Sequence, residues 1–287
     1  MENLVEVRGL TKHYNNFTLR QVDLTVPAGA IVGLIGENGA GKTTTIKALL
    51  HVIRPDGGTV RLLGGDPRDA AVRSEVGAVF EDSYFYGGFN ARQIDRIMAG
   101  IHRRWDSGLF FDYCRRFELE EKKPVKDFSR GMRMKMSLAT ALSYRPRLLV
   151  LDEATSGLDP VVRGELLDLF LEFIQEEDHS ILLSSHITAD LARVADQIAY
   201  IHRGELLFQR DKDELLADTA ILRCSERDID RLPRELVTAR RKGPMGSAAL
   251  VRHPEEVRRL LPNAVLDRAD IDEMMQFISG REQTWED

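Results

Sequence analysis

One glycine-rich segment, residues 36–44, carries the residue types and spacing that most directly indicate chemistry. It reads Gly-Glu-Asn-Gly-Ala-Gly-Lys-Thr-Thr, and residues 36–43 fit the phosphate-loop pattern of a glycine, four residues and then Gly-Lys-Thr. Glycines let consecutive backbone N–H groups curl around phosphate oxygens, and a helix N-terminus favours negative charge. We expect the Lys42 ammonium to reach terminal phosphates and the Thr43 hydroxyl to ligate magnesium. The candidate phosphate-binding residues are Gly36, Glu37, Asn38, Gly39, Ala40, Gly41, Lys42, Thr43 and Thr44.

The segments on either side of this loop are of the kinds that a phosphate site needs. Residues 31–35 form an apolar run that predicts a buried strand, and residues 43–50 predict a helix. The alternative is a chance glycine turn ahead of a helix. Because strand, turn and helix follow one another in register, the sequence favours the phosphate site.

Two acids and a histidine end other apolar runs. Residues 148–151 predict a strand buried on both faces, and Asp152 and Glu153 follow it directly. We expect Asp152 to hold magnesium through water, and Glu153 to orient the attacking water or accept its proton. His186 follows the apolar strand 181–183 and two serines. A lone histidine is more often a surface residue, but the C-terminal end of a strand is where ligands bind in such sheets.

Composition limits the classes of protein that this chain can belong to. The net charge of −6 argues against a non-specific nucleic-acid binder. Two distant cysteines, Cys114 and Cys224, show no metal spacing and fit a reducing compartment. The N-terminus predicts no signal segment, and no apolar run approaches the ~20 residues that span a bilayer. If the protein works at a membrane, we expect another chain to do the spanning.

The alternation of strands and helices predicts an α/β fold with a mostly parallel sheet covered on both faces. A helical pattern over residues 82–144 predicts an insertion between two core strands, and Asp159-Pro160 predicts the start of a helix that ends near residue 176. The further predicted strands are residues 4–7, 22–26, 59–63, 76–80 and 198–201.

The texture of the sequence changes near residue 210. Residues 221–224 predict a short strand, 242–244 a turn and 254–261 a helix. We therefore predict one large domain, residues 1–210, and a small α+β appendage, residues 211–287. Residues 281–287 are expected to be frayed.

Taken together, residues 1–210 resemble an ATP-binding-cassette (ABC) ATPase subunit. Residues 36–44 match the family's first nucleotide motif and 148–153 its second, and residues 128–132, Phe-Ser-Arg-Gly-Met, stand in the place of its signature sequence. Residues 156–159 match the loop that crosses the dimer interface, His186 the switch histidine, and Tyr14 the aromatic residue that stacks on adenine. The resemblance implies ATP and Mg²⁺ as cofactors. It also implies an N-terminal antiparallel β subdomain beside the phosphate-loop sheet.

The signature segment has a physical role that can be read from its own residues. Ser129 supplies a hydroxyl, and the amides of Arg130 and Gly131 lie at the start of a helix predicted to run through residue 139. This combination makes a second anion site. The resemblance implies a head-to-tail dimer in which this site completes the neighbour's ATP site. An ordinary helix start capped by Ser129 stays open as the alternative.

Some positions depart from the commonest family pattern. Arg130 replaces the first glycine of the signature, and Met132 replaces a glutamine. Glu81 stands where a glutamine usually links magnesium to the membrane partner, and a carboxylate can still ligate magnesium. Ala154 replaces a proline. The candidate metal ligands are therefore Thr43, Glu81 and Asp152, and we predict an active ATPase.

An aromatic cluster, residues 84–89, follows Glu81 closely and has two interpretations. It could form a groove wall that receives a short helix of a membrane subunit. It could equally pack the helical insertion onto the core.

The resemblance implies an ATP-hydrolysing subunit that powers export through a separate polytopic membrane subunit. We expect it to be cytoplasmic, peripheral at the inner face of the cell membrane, and paired with a second copy of itself or a paralogous ATPase, with no nucleic-acid partner. Residues 271–275 resemble the tail of peptide and antibiotic exporter ATPases. A soluble non-transport ABC-type ATPase acting on a macromolecule is the alternative, but the tandem cassettes or long coiled coils of that group are not seen here. A small-molecule kinase or regulatory GTPase is a second alternative, but a guanine-reading Asn-Lys-x-Asp motif is absent, and the signature segment would have no purpose in such a protein.

Overall fold

The computed structural model describes residues 2–81, 85–243 and 246–280 and divides the chain into two units, residues 1–209 and 210–287. Only the backbone is described at residues 242 and 243. No helix able to cross a bilayer is found among these residues. Both cysteines are free thiols, and burial raises the pKa of Cys114 to about 12, so that this thiol stays protonated.

The first unit contains nine strands and seven helices in its described residues. The strands are β1 (Asn3–Tyr14), β2 (Phe17–Pro27), β3 (Ile31–Ile35), β4 (Gly57–Leu62), β5 (Val76–Val79), β6 (Leu148–Asp152), β7 (Ser180–Ser185), β8 (Gln197–His202) and β9 (Glu205–Asp211). The helices are α1 (Lys42–Leu49), α2 (Ala70–Arg73), α3 (Ala91–Ile101), α4 (Ser107–Arg116), α5 (Arg130–Leu142), α6 (Pro160–Phe173) and α7 (Thr188–Val194).

These strands form two sheets, and the predicted fold class is confirmed. The six-stranded sheet has the order β5-β6-β7-β3-β8-β9, with parallel pairing from β5 through β8. A three-stranded antiparallel sheet has the order β2-β1-β4. One hydrophobic core joins both sheets and α1. Strands β3, β6 and β7 are buried along their whole length. The apolar sequences of β3 and β6 predict this for strands covered on both faces, whereas β7 also buries three serines.

The sequence prediction missed or shortened the half-exposed strands. Strand β9 was not predicted, because its residues alternate only between exposed and partly buried positions at the edge of the sheet. Strand β1 is much longer than the predicted residues 4–7, since most of its second half is partly buried or exposed and lacks a continuous apolar pattern.

Helices α3, α4 and α5 form the described part of the helical insertion. Each begins at a polar cap: Asn90 and Gln93 form a capping box, and Asp106 and Ser129 accept bonds from backbone N–H groups. The predicted start of the insertion includes residues 82–84, which lie outside the described residues. Helix α6 begins as predicted, with Asp159 as cap and proline at its first position, and ends at Phe173 rather than near residue 176.

The second unit is a small α+β arrangement around a four-stranded antiparallel sheet. Its elements are α8 (Lys212–Ala217), β10 (Thr219–Cys224), α9 (Glu226–Asp230), β11 (Val237–Gly243), β12 (Gly246–Arg252), α10 (Pro254–Leu260), β13 (Val265–Arg268) and α11 (Ile271–Ser279). The sheet order is β11-β12-β10-β13. The predicted turn includes residue 244, and the predicted frayed end is residues 281–287; both lie outside the described residues.

A charged cluster surrounds Asp218 between α8 and β10. Its carboxylate accepts from Arg210 Nη1 at 3.0 Å, and His253 Nδ1 lies 2.7 Å away. Burial would raise the pKa of Asp218, but the Arg210 hydrogen bond and the charges of His253, Arg210 and Arg252 outweigh it and hold the pKa below its usual range. Ionised Asp218 therefore stabilises this unit.

Candidate nucleotide site

The phosphate loop lies between β3 and α1, at the carboxyl end of the parallel sheet. Two glycines are required by its path. A Cβ atom at Gly36 would lie 2.3 Å from the Ile201 carbonyl oxygen, and Gly41, the residue before α1, has a φ of +117°. Only glycine adopts this path without strain, because other residues carry a Cβ atom that clashes in such conformations. The loop therefore leads directly into the N-terminus of α1, with Gly41 as the last residue before the helix.

Lys42, the first residue of α1, is buried with its charge inside the loop. Its side chain is 5% exposed. The ammonium donates to the carbonyls of Gly36 at 2.7 Å and Glu37 at 3.2 Å, and Nζ lies 3.1 Å from Glu153 Oε1. A buried ammonium is costly unless it is paired, so these contacts hold the charge where the predicted phosphates would lie.

Asp152 and Glu153 are fixed by a serine that the sequence prediction missed. Ser184 on β7 is fully buried; its hydroxyl donates to Asp152 Oδ1 at 2.6 Å and accepts from the Glu153 N–H at 3.1 Å. The pairing of β6 with β7 sets Asp152 opposite Ser184. The available signal was the pair of serines that ends an otherwise apolar strand just before His186.

Glu153 connects Lys42 to the predicted switch histidine. His186 Nδ1 lies 2.7 Å from Glu153 Oε2, so that Nδ1–H donates to the carboxylate. Glu153 is 7% exposed and has a φ of +53°. A non-glycine residue in this region costs on the order of 1–3 kcal/mol and persists only where its surroundings hold it, as the two bonds from its N–H to Ser184 do here.

An ion pair with a buried carboxylate connects α6 to α7. Arg163 on α6 donates from Nε to Asp190 Oδ1 on α7 at 2.5 Å, and Asp190 is 1% exposed. Helix α6 follows the loop of residues 156–159, and α7 follows His186. The sequence prediction did not find this contact, since nothing in either helix alone indicates its partner.

The signature segment begins α5 and contacts other predicted site residues. Ser129 Oγ accepts from the Met132 N–H at 3.2 Å, so Ser129 does cap the helix. Accepting this bond leaves the hydroxyl hydrogen to donate elsewhere, so the cap is compatible with an anion contact. Arg130 Nη2 donates to Glu81 Oε1 at 2.7 Å. Gly131 is buried, and a Cβ atom there would lie 3.2 Å from Val162.

Tyr14 ends β1 and is 47% exposed, as a residue available for stacking must be. Its ring lies 6.5 Å from that of Phe17, whose edge lies 3.0 Å from where a Cβ atom of Gly41 would be. Phe17 therefore joins Tyr14 to the phosphate loop. Thr43 is exposed on the first turn of α1.

These residues fit a magnesium-bound triphosphate. A glycine loop, a buried ammonium and a helix N-terminus suit polyphosphate. No group of three or more His, Cys, Asp or Glu side chains that could hold a metal occurs within the described part of the chain. The oxygen donors present, Thr43 and Asp152, suit magnesium, because this ion is usually held by one or two protein groups together with phosphates and water.

Comparison with known proteins gives a consistent result. The family model described as ABC transporter matches residues 19–156. The bacitracin transport ATP-binding protein BcrA of Enterococcus faecalis is 33% identical over 75% of this chain and 71% of its own length. The lantibiotic transport ATP-binding protein SrtF of Streptococcus pyogenes is 30% identical over 73% of this chain and 92% of its own.

Solved structures agree. One described as the ATP binding subunit of an ABC transporter has a TM-score of 0.68 and 28% identity, covering 75% of this chain and 92% of the solved one. The chain belongs to the ABC transporter family and is one of its ATP-binding subunits. ATP-binding subunits of this family bind ATP with Mg²⁺ and hydrolyse it to power transport, and this chain is such an ATPase.

Proposed function

We propose that this subunit powers export of amphipathic peptides or antibiotics through a separate polytopic membrane protein. The ATPase role is supported by one observation: Glu153 contacts both Lys42 and His186. The buried Asp152 directly precedes Glu153. Two relatives are named as ATP-binding proteins of bacitracin transport and lantibiotic transport, and these names support the cargo class. The protein would then lie at the inner face of the membrane, held there by its partner.

We assign the roles within the site as follows. The loop from Gly36 to Thr44 binds the phosphates, Lys42 neutralises the terminal ones, and Tyr14 stacks on the base. Thr43 and Asp152 are the groups that would hold Mg²⁺, which supplies charge neutralisation on the phosphates when bound. Glu153 orients the attacking water and accepts its proton, and Nδ1–H of His186 holds the Glu153 carboxylate in place. Because Nδ1–H already donates to Glu153, His186 can hold the terminal phosphate only as an imidazolium, which also donates from Nε2–H.

The site needs a second subunit. We propose that Ser129 and the amides of Arg130 and Gly131 complete the ATP site of a neighbouring copy or paralogue in a head-to-tail dimer. The support is chemical: Ser129 and Arg130 are exposed at the start of α5, where a hydroxyl donor meets a helix N-terminus, and the buried Gly131 follows them.

The experiment is ATP hydrolysis by the purified chain over a hundred-fold range of protein concentration. We expect specific activity to rise with concentration, because two copies must meet, and to disappear in Lys42→Ala. A specific activity that stays constant over this range would refute the shared site. Activity that persists in Lys42→Ala would refute the assignment of the loop.

We further propose where the membrane subunit docks. A surface pocket of about 330 Å³ alongside β5 is lined mostly by apolar side chains: Leu50, His51, Val52, Leu62, Pro67, Arg73, Val76, Ala78 and Phe80. Val52 is 62% exposed at its rim, and Phe80 directly precedes Glu81. A short apolar segment of the membrane protein would fill this pocket.

The aromatic cluster predicted from the sequence lies close to this region along the chain. Its described part packs on the insertion, since Val125 N–H donates to the Phe89 carbonyl and Lys126 N–H to the Gly87 carbonyl, both at 2.8 Å. Tyr86 is nevertheless 72% exposed, and residue 84 lies outside the described residues.

Copurification from native membranes tests the docking proposal. We expect Val52→Asp to reduce recovery of a polytopic membrane protein roughly ten-fold, since burying a valine contributes about 1.5–3 kcal/mol. Val265→Asp in the second unit, where Val265 is 56% exposed, is the matched control. Unchanged recovery with Val52→Asp and loss with Phe85→Ser/Phe89→Ser would move the docking site to the aromatic cluster.

We also propose that residues 211–287 are an accessory region that does not carry the ATPase chemistry, since every candidate site residue lies in the first unit.

A further inference from the structure

Two of the residues that depart from the family pattern contact each other. Arg130, at the start of α5, donates from Nη2 to Glu81 Oε1 at 2.7 Å. Glu81 follows β5 by two residues, and the two side chains are 43% and 48% exposed. The contact therefore joins the helical insertion to the parallel sheet.

Arg130 also covers the loop that follows β6. A Cβ atom at Gly157 would lie 3.0 Å from Arg130 Cζ and 3.2 Å from Nε, and Gly157 has a φ of +65°. A side chain at residue 157 would displace the guanidinium. One arginine thus contacts both residue 157 and the end of β5.

Electrostatics explains why the arginine needs an acid beside it. The N-terminus of a helix carries partial positive charge, so a guanidinium on its first residue is unfavourable there. The Glu81 carboxylate offsets this repulsion, and a neutral glutamine at residue 81 would not. The acid at residue 81 therefore suits the arginine at residue 130.

We propose that Arg130 and Glu81 form a positioning pair that fixes the start of α5 against the loop of residues 156–159 and so sets how Ser129 meets the neighbouring nucleotide. This inference rests on the shared site proposed above. In this inference the Glu81 carboxylate pairs with Arg130 and is no longer a candidate magnesium ligand. Thr43 and Asp152 are then the residues that would hold magnesium.

A double-mutant cycle tests the pair. Glu81→Gln, Arg130→Gln and the double variant are made in a Glu153→Gln background, so that ATP is not consumed, and ATP-dependent self-association is measured by sedimentation velocity. We expect each single variant to weaken association about two- to five-fold, the range of an exposed ion pair. The double variant should lose no more than Arg130→Gln alone, because the pair is already broken there.

Two further measurements separate positioning from other roles. The Mg²⁺ concentration needed for half-maximal ATP binding should be the same in Glu81→Gln as in the parent. Arg92→Gln/Glu121→Gln is the control; this ion pair in the same insertion has an Nη2–Oε2 distance of 2.9 Å and exposures of 58% and 36%. We expect it to leave self-association unchanged. Thermal unfolding should be unchanged in all variants, since both pairs are half-exposed.

Several outcomes would overturn the inference. Additive losses would mean that the two residues act separately, and a raised Mg²⁺ requirement in Glu81→Gln would return Glu81 to the metal. Tighter association in Glu81→Gln would show that Glu81 competes with the neighbour for Arg130. If the Glu153→Gln parent does not self-associate when ATP is added, the proposed shared site is refuted. This outcome is distinguishable from failure of the pair, because it is seen before residue 81 or 130 is changed.

Discussion

Replacing Glu153 by glutamine tests the chemistry most directly. The change keeps the size of a side chain that is 7% exposed but removes its charge and its ability to accept a proton. Three contacts of the carboxylate are affected: the 3.1 Å ion pair with Lys42, the 2.7 Å hydrogen bond from the His186 ring and the 3.4 Å bond from the His186 backbone N–H. The backbone bonds to Ser184 do not depend on the side chain, so the strained φ of residue 153 should persist.

The expected magnitude follows from the role of a general base. Proton transfer by a positioned side chain contributes about 10²–10⁴-fold, which corresponds to about 2.7–5.5 kcal/mol in the barrier. ATP binding should change far less, since Lys42 keeps its bonds to the Gly36 and Glu37 carbonyls at 2.7 and 3.2 Å. Turnover and affinity should therefore separate in this variant.

Phosphate release at saturating MgATP measures turnover, and titration calorimetry measures affinity. Glu177→Gln, at an exposed glutamate, is the matched control and should retain normal turnover. Near-normal hydrolysis by Glu153→Gln would refute the base assignment. A parallel loss of ATP binding would show instead that Glu153 organises the phosphate loop.

Two further predictions concern the loop and the second unit. Gly36→Ala places Cβ 2.3 Å from the Ile201 carbonyl oxygen, so we expect a loss of about 1–3 kcal/mol in stability and at least a ten-fold loss in ATP affinity; Gly100→Ala, where a Cβ atom meets nothing within 4 Å, should leave both unchanged. Equal effects of the two would refute the steric argument. Asp218→Asn should speed hydrogen exchange in β10 at pH 7. Because the folded-state pKa of Asp218 lies below its unfolded value, the difference from wild type should disappear as pH falls through the folded pKa. A difference that is independent of pH would contradict the ionic stabilisation.

The phosphate loop was predictable because its requirements are local. A strand, a glycine turn and a helix lie next to one another along the chain, and the loop from Gly36 to Lys42 needs no distant residue to be recognised. The fold class was predictable for a similar reason, since strands buried on both faces have continuous apolar sequences.

The contacts that complete the site depend on register between distant strands. Ser184 binds Asp152 because β6 and β7 pair with these two residues opposite each other, and a shift by one residue would turn the hydroxyl to the other face. Glu81 and Arg130 were each identified as departures, but 49 positions separate them, and only tertiary packing shows that they meet. The strands at sheet edges were missed where their burial is partial.

The two groups of site contacts differ in how firmly they are held. Lys42, Glu153 and His186 each follow the carboxyl end of one of three neighbouring parallel strands. Asp152 and the Glu153 N–H are both bonded to the fully buried Ser184. Arg130, in contrast, is an exposed residue at the start of α5 and is held by a half-exposed ion pair worth about 0.2–1 kcal/mol. The hydrolytic residues should therefore be held more firmly than the start of α5, which depends on the weaker pair of Arg130 and Glu81. If so, amide exchange near Arg130 should be faster than in β6, and it should slow when ATP brings a second copy against it.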